Sequence, residues 1–135
     1  MINGCFRINY FCDHFLMETT SNKSQEDFWS KHPCGAYGSY SEIKNQRYKM
    51  EPYLPKVLER LRKPNIRILE VGCGQGIDAI TLCGGLLIGS DYIGIDFSCE
   101  SINAAEKNRE LYNIEHGELP VLPRFEVGDA LNLAF

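Results

Sequence analysis

The run NIRILEVGCGQGIDAITL, Asn65 to Leu82, constrains this chain more than any other stretch. Ile66, Ile68, Leu69 and Val71 send apolar side chains to both sides of a short strand, the pattern of a central strand covered by helices on each face. An acid, Glu70, stands near its end, and three glycines then alternate at Gly72, Gly74 and Gly76. A helix is expected from about Gly76, with Ile77, Ile80 and Cys83 inward; Gly84 and Gly85 weaken its far end.

The same unit recurs downstream. DYIGIDF reads as a second strand ending at Asp96, and SCESINAAEKNRELYN as a helix capped by Ser98 with Glu100 in its first turn. A polar loop with Gly117, Pro120 and Pro123 leads to a third strand, RFEVGD. Upstream, EPYLPKVLERL sets Leu54, Val57, Leu58 and Leu61 on one stripe; Pro52 and Pro55 suit a first turn, and Pro64 ends the helix. The order predicts an α/β fold: the first half of a Rossmann-like, doubly wound parallel sheet, three strands in spatial order 3-2-1, with an N-terminal helical lead-in. Residues 1–50 read as a leader and lid-like segment, and 51–135 as a partial domain that stops after the third strand. The outer edge of the first strand is then expected to be unpaired, which makes the chain marginally stable or self-associating through that edge.

Length and composition fit one domain at most: 135 residues, 44% hydrophobic and 24% charged. No apolar run approaches a membrane span. MINGCFRINYFCDHF is broken by Asn3, Arg7, Asn9, Asp13 and His14, so it does not read as a signal peptide, and Met17 offers an alternative start. Six cysteines at irregular spacing, with no C-x-x-C pair, read as free thiols of a cytoplasmic protein. His32 and Cys34 are two zinc ligands where four are needed, so no metal is expected. Residues 1–65 carry ten basic and seven acidic groups, and residues 66–135 four basic and eleven acidic. The acidic half would repel a phosphate backbone, which argues against nucleic-acid binding.

Each expected strand ends in an acid: Glu70, Asp96 and Asp129. In such sheets the ligand lies beyond the carboxyl ends of the strands. A dinucleotide pyrophosphate would be repelled there, and its G-x-G-x-x-G pattern is absent: the third glycine comes one residue early and Ile77 occupies its place. S-adenosylmethionine carries a sulfonium, an ammonium and one carboxylate, so three anionic tips attract it. Bare backbone at the three glycines would lie against its methionyl part, and amides at the helix start would meet its carboxylate. Asp96, twenty-four residues after Gly72, can accept two ribose hydroxyls; Phe97 offers adenine an apolar face, and Asp129 an acceptor for its amino group.

ILEVGCGQG, YIGIDFS and FEVGDA, in that order and spacing, resemble the successive cofactor motifs of class I S-adenosylmethionine-dependent methyltransferases. FWSKHPCG with RYKMEPYLPKVL resembles the lead-in of one branch of that family, so the resemblance covers roughly residues 28–135. It implies Glu70 facing the methionyl ammonium, Gly72, Gly74 and Gly76 forming the loop beneath, Asp96 holding the ribose, and Asp129 with Ala130 bordering adenine. Arg47 and Tyr37 would cover the cofactor from the lead-in. It also places acceptor recognition largely in segments after Phe135, so no catalytic base is named; a small molecule is the expected acceptor, since no basic groove or peptide-binding feature is evident. Two other classes stay open: a non-catalytic module binding S-adenosylmethionine or a nucleotide, and an NAD-dependent oxidoreductase.

Plainer roles exist for each residue. The glycines could serve a tight turn, Asp96 could cap a helix and Asp129 could be a loop acid. Cys73 reads as a small filler, since no basic partner adjoins it. Cys34, Trp29 and Tyr37 read as packing residues, and His14 and His116 belong to no catalytic pattern.

Overall fold

The computed structural model describes the backbone of residues 6–9 and residues 38–86 and 88–133. His14, Trp29, His32, Cys34 and Tyr37 lie outside the described residues. Eight elements follow among the described residues: β1 (Phe6–Asn9), α1 (Tyr40–Met50), α2 (Leu54–Arg60), β2 (Arg67–Val71), α3 (Ile77–Cys83), β3 (Asp91–Asp96), α4 (Cys99–His116) and β4 (Arg124–Val127).

The strands form one parallel sheet in the order β1-β2-β3-β4. The three strands expected from sequence lie side by side, β2 beside β3 beside β4. The expectation that the outer edge of β2 is bare is corrected: β1 pairs along it, Phe6 opposite Ile68 and Asn9 opposite Val71. Among the described residues the sheet therefore has four strands rather than three. Four residues are too few for a period-2 pattern to stand out, which hid β1 in the sequence.

The core lies between the sheet and one layer of helices. Ile68 of β2, Tyr92 of β3 and Phe125 of β4 are buried and pack with Ile77, Ile80 and Cys83 of α3 and Ile102 and Ala105 of α4, and Glu70 of β2 is buried as well. The alternate residues Leu69 and Val71 are only half-buried. Among the described residues, then, β2 is fully covered on one face and not on both.

Local signals set the helix ends. Ser98 Oγ accepts from the Ser101 amide at 3.2 Å and caps α4, as its position suggested. Helix α3 ends at Cys83, where the glycine pair begins. In α2, Leu54 and Leu58 are buried, and Leu61 just beyond it is too, while Val57 is 37% exposed, so the apolar stripe is narrower than the spacing suggested.

Helix α1 was not foreseen. Its signal is a capping box, Ser39-Tyr40-Ser41-Glu42, with Ser39 Oγ accepting from the Glu42 amide at 3.2 Å. Tyr40, fully buried, docks this helix. Its hydroxyl lies 2.7 Å from Thr81 Oγ1, its ring meets Tyr112 edge-on at 5.1 Å, and its amide donates to Glu115 at 2.5 Å.

Candidate functional site

The site is built at the carboxyl ends of β2, β3 and β4. The amides of Gly72 and Cys73 donate to the Ile95 carbonyl at 2.8 and 2.9 Å, so the glycine loop crosses the tip of β3 as it leaves β2. The Gly74 amide donates to Asp96 Oδ2 at 2.9 Å, and the Ser98 amide to Asp96 Oδ1 at 2.9 Å. The Gly128 amide donates to the Asp96 carbonyl at 2.9 Å. Asp96 thus ties together the loop after β2, the start of α4 and the exit of β4. Each of its carboxylate oxygens still has a lone pair for a further donor.

The three glycines divide by role. All have positive φ, but a Cβ on Gly76 would sit 2.6 Å from Phe125 Cζ and 2.9 Å from Ala105 Cβ, so packing requires glycine there. A Cβ on Gly72 or Gly74 would meet nothing within 4 Å. The surface above the loop is open, which is where a ligand could lie against backbone. Asn108 of α4, 5% exposed, donates to the Gln75 carbonyl at 3.0 Å and holds the far side of the loop. An asparagine inside a helix carries no local sign of that task.

Buried carboxyls surround the loop. Glu70 is 2% exposed, Asp78 5% and Asp96 9%. Tyr92 Oη donates to Glu70 Oε2 at 2.8 Å. Burial pushes the Glu70 carboxyl up to about 8; Asp78 and Asp96 add to the rise, and Tyr92 and Arg47 oppose it. Arg47 Nη2 lies 2.8 Å from Asp78 Oδ2, and Nη1 lies 3.1 Å from Glu51. Burial works against the Arg47 charge, but Asp78 and Glu51 outweigh it and hold the proton more firmly than usual. The Tyr48 hydroxyl is buried beside Asp78 and Thr81. Asp78 escaped notice in the sequence because an acid in a first helical turn already suits the helix dipole.

The remaining expected residues sit at the same rim. Phe97 is 37% exposed, and Ala130 is half-buried. Asp129 is exposed, and its Oδ1 accepts from the Leu131 amide at 2.9 Å, within its own turn. Burial pushes the Cys73 thiol well above its usual range, with Glu70 and Asp96 adding to the effect, which suits a filler rather than a nucleophile. Among the described residues no cluster could hold a metal ion, and no helix is long and apolar enough to cross a membrane. A cavity of about 250 Å³ lined by Lys44, Arg62, Thr81, Tyr112 and His116, among others, lies between helices and includes none of the strand-tip acids.

A family model described as a methyltransferase domain matches residues 62–134, which span the glycine loop, helices α3 and α4 and the strand tips. The chain belongs to the class I S-adenosylmethionine-dependent methyltransferase family. Among solved structures it is similar to magnesium protoporphyrin IX methyltransferase (ChlM) of Synechocystis PCC 6803 with bound SAH. The identity is 17% and the TM-score 0.57, over 84% of this chain and 54% of that one. It is also similar to YjhP of E. coli, at 20% identity and a TM-score of 0.49, over 78% of this chain and 36% of that one. The chain thus spans only about a third to a half of these proteins, and the likeness to the Synechocystis enzyme is one of fold. No curated protein matches the sequence.

Proposed function

We propose that this chain holds S-adenosylmethionine for methyl transfer to a small molecule, in the cytoplasm and without nucleic acid. The observation that carries the reading is the open, Cβ-free loop at Gly72 and Gly74 set among the buried carboxyls of Glu70, Asp78 and Asp96, with one guanidinium, Arg47, to balance them. A site of that charge favours a cationic ligand over a pyrophosphate. The SAH bound to the Synechocystis enzyme fits the same reading.

In this reading Glu70 faces the methionyl ammonium, and the loop of Gly72, Gly74 and Gly76 lies beneath the methionyl chain. Asp96 accepts the ribose hydroxyls through its remaining lone pairs, Phe97 lies against adenine, and Asp129 with Ala130 borders it. When bound, S-adenosylmethionine supplies a methyl carbon activated by its sulfonium. The work of this chain is to bind and orient, and two amides hold Asp96 in place for it.

Calorimetry with S-adenosylhomocysteine and with NAD, on wild type and Asp96→Ala, tests the reading. Heat from the homocysteine compound alone, lost in Asp96→Ala, is the expected result. Heat from NAD alone would overturn it.

A further inference from the structure

Three buried carboxyls share the site, and each is stabilised differently. Asp78 has the Arg47 guanidinium at 2.8 Å. Asp96 has two backbone amides, one on each oxygen, both at 2.9 Å. Glu70, the most deeply buried of the three, has, among the described residues, only the hydroxyl of Tyr92. Among the described residues no ion pair forms to it, and Arg47 is engaged by Asp78 and Glu51. A buried charge needs a counter-charge or several donors, and a single hydroxyl supplies neither. Three anions against one cation would leave the empty site with excess negative charge, and the least supported carboxyl is the one to stay neutral.

We propose that Glu70 is a carboxylic acid in the empty protein and becomes a carboxylate when a cationic methionyl group seats above the glycine loop, so that binding expels a proton. The inference rests on the cofactor reading above and adds to it a mechanism of charge matching. The O–H bond of Glu70 breaks, its proton goes to solvent, and the incoming ammonium takes the proton's place as counter-charge. Tyr92 Oη can donate to the carboxyl in either state, so the hydrogen bond survives the change. The other titratable groups acting on Glu70 or felt by it are Asp78 of α3, Arg47 of α1, Tyr92 and Asp96 of β3, Cys73 of the loop and Cys83 of α3. Burial holds both thiols and the Tyr92 hydroxyl protonated well past neutrality, which leaves Glu70 as the group that changes near neutral pH.

Titration calorimetry at pH 6.5, in two buffers of different ionisation enthalpy, counts the protons. With S-adenosylmethionine or S-adenosylhomocysteine the wild-type chain is expected to release about one proton, and its affinity to rise about tenfold per pH unit between pH 6.0 and 7.5. Glu70→Gln keeps the shape of the neutral acid, so it is expected to release none and to show flat affinity over that range. Methylthioadenosine, which has no ammonium, is expected to bind both proteins without proton release. If Glu70→Gln fails to fold, Tyr92→Phe takes its place. Losing the hydroxyl that favours the carboxylate leaves more Glu70 protonated, so this variant should release a larger fraction of a proton than wild type at pH 7.5. Binding of S-adenosylmethionine without proton release, or with equal release in wild type and Glu70→Gln, would overturn the inference and leave the cofactor reading standing. Absence of heat with all three adenosine compounds would overturn both.

Discussion

Arg47 and Asp78, 31 residues apart in the chain, are joined at 2.8 Å, and the pair fastens the lead-in helix α1 to the first turn of α3 beside the glycine loop. Asp78 is 5% exposed and Arg47 27%, so the carboxylate depends on the guanidinium far more than the reverse. The lead-in is thereby part of the site.

Breaking that pair from the cationic side should be costly. Arg47→Ala is expected to destabilise the chain by about 1–3 kcal/mol, below the range for fully buried pairs because the guanidinium reaches solvent. Adding Asp78→Asn should recover part of the loss, since no buried charge is then left alone. Urea denaturation of both single variants and the double variant gives the coupling energy, and strict additivity would show that the pair does not hold α1 in place.

Gly76 and Gly74 should respond differently to alanine. At Gly76 the new Cβ meets Phe125 and Ala105 at under 3 Å on a backbone with φ of 70°, so Gly76→Ala is expected to cost about 2–4 kcal/mol. At Gly74 nothing lies within 4 Å, and only the left-handed backbone resists, at about 1–2 kcal/mol. Gly74→Ala should therefore fold and yet lose affinity for S-adenosylhomocysteine. Wild-type affinity in a folded Gly74→Ala protein would show that no ligand lies against that loop.

Stability should fall as the solution is made more alkaline. Glu70 is raised from the ordinary carboxyl range to about 8, so between roughly pH 4.3 and pH 8 the folded chain keeps a proton that the unfolded chain has lost. The contribution is complete below the unfolded value and is lost as pH rises through the folded one, at no more than ~1.4 kcal/mol per pH unit. Urea midpoints at pH 5.5, 7.0 and 8.5 should decline in wild type and decline less in Glu70→Gln. Equal slopes in the two would assign the pH dependence to other groups.

A chain begun at Met17 lacks β1 and exposes the edge of β2. It is expected to melt at a lower temperature than the 135-residue chain and to self-associate in sedimentation, because a bare edge is a template for pairing. Identical melting and a monomeric state would show that β1 contributes nothing to the sheet.

Much of the layout can be read from local pattern. The strand at 67–71, the helix after Gly76, the cap at Ser98 and the strand ending at Asp96 all follow from side-chain period, glycine and capping chemistry, which act over a few residues. The capping box at Ser39 was equally local, though a preceding stretch without period obscured it. Asp129 adds what spacing does not carry: its Oδ1 accepts from the Leu131 amide within its own turn.

By itself the sequence determined the run of helices and strands from Leu54 onward, though not β1 or α1, and that acids and glycines gather at one rim of the sheet. Tertiary structure alone decided how those acids are balanced: a guanidinium for Asp78, two amides for Asp96 and one hydroxyl for Glu70. The reason is distance along the chain. Arg47 lies 31 residues from Asp78, Gly74 lies 22 from Asp96 and Tyr92 lies 22 from Glu70, and no short-range pattern carries that information.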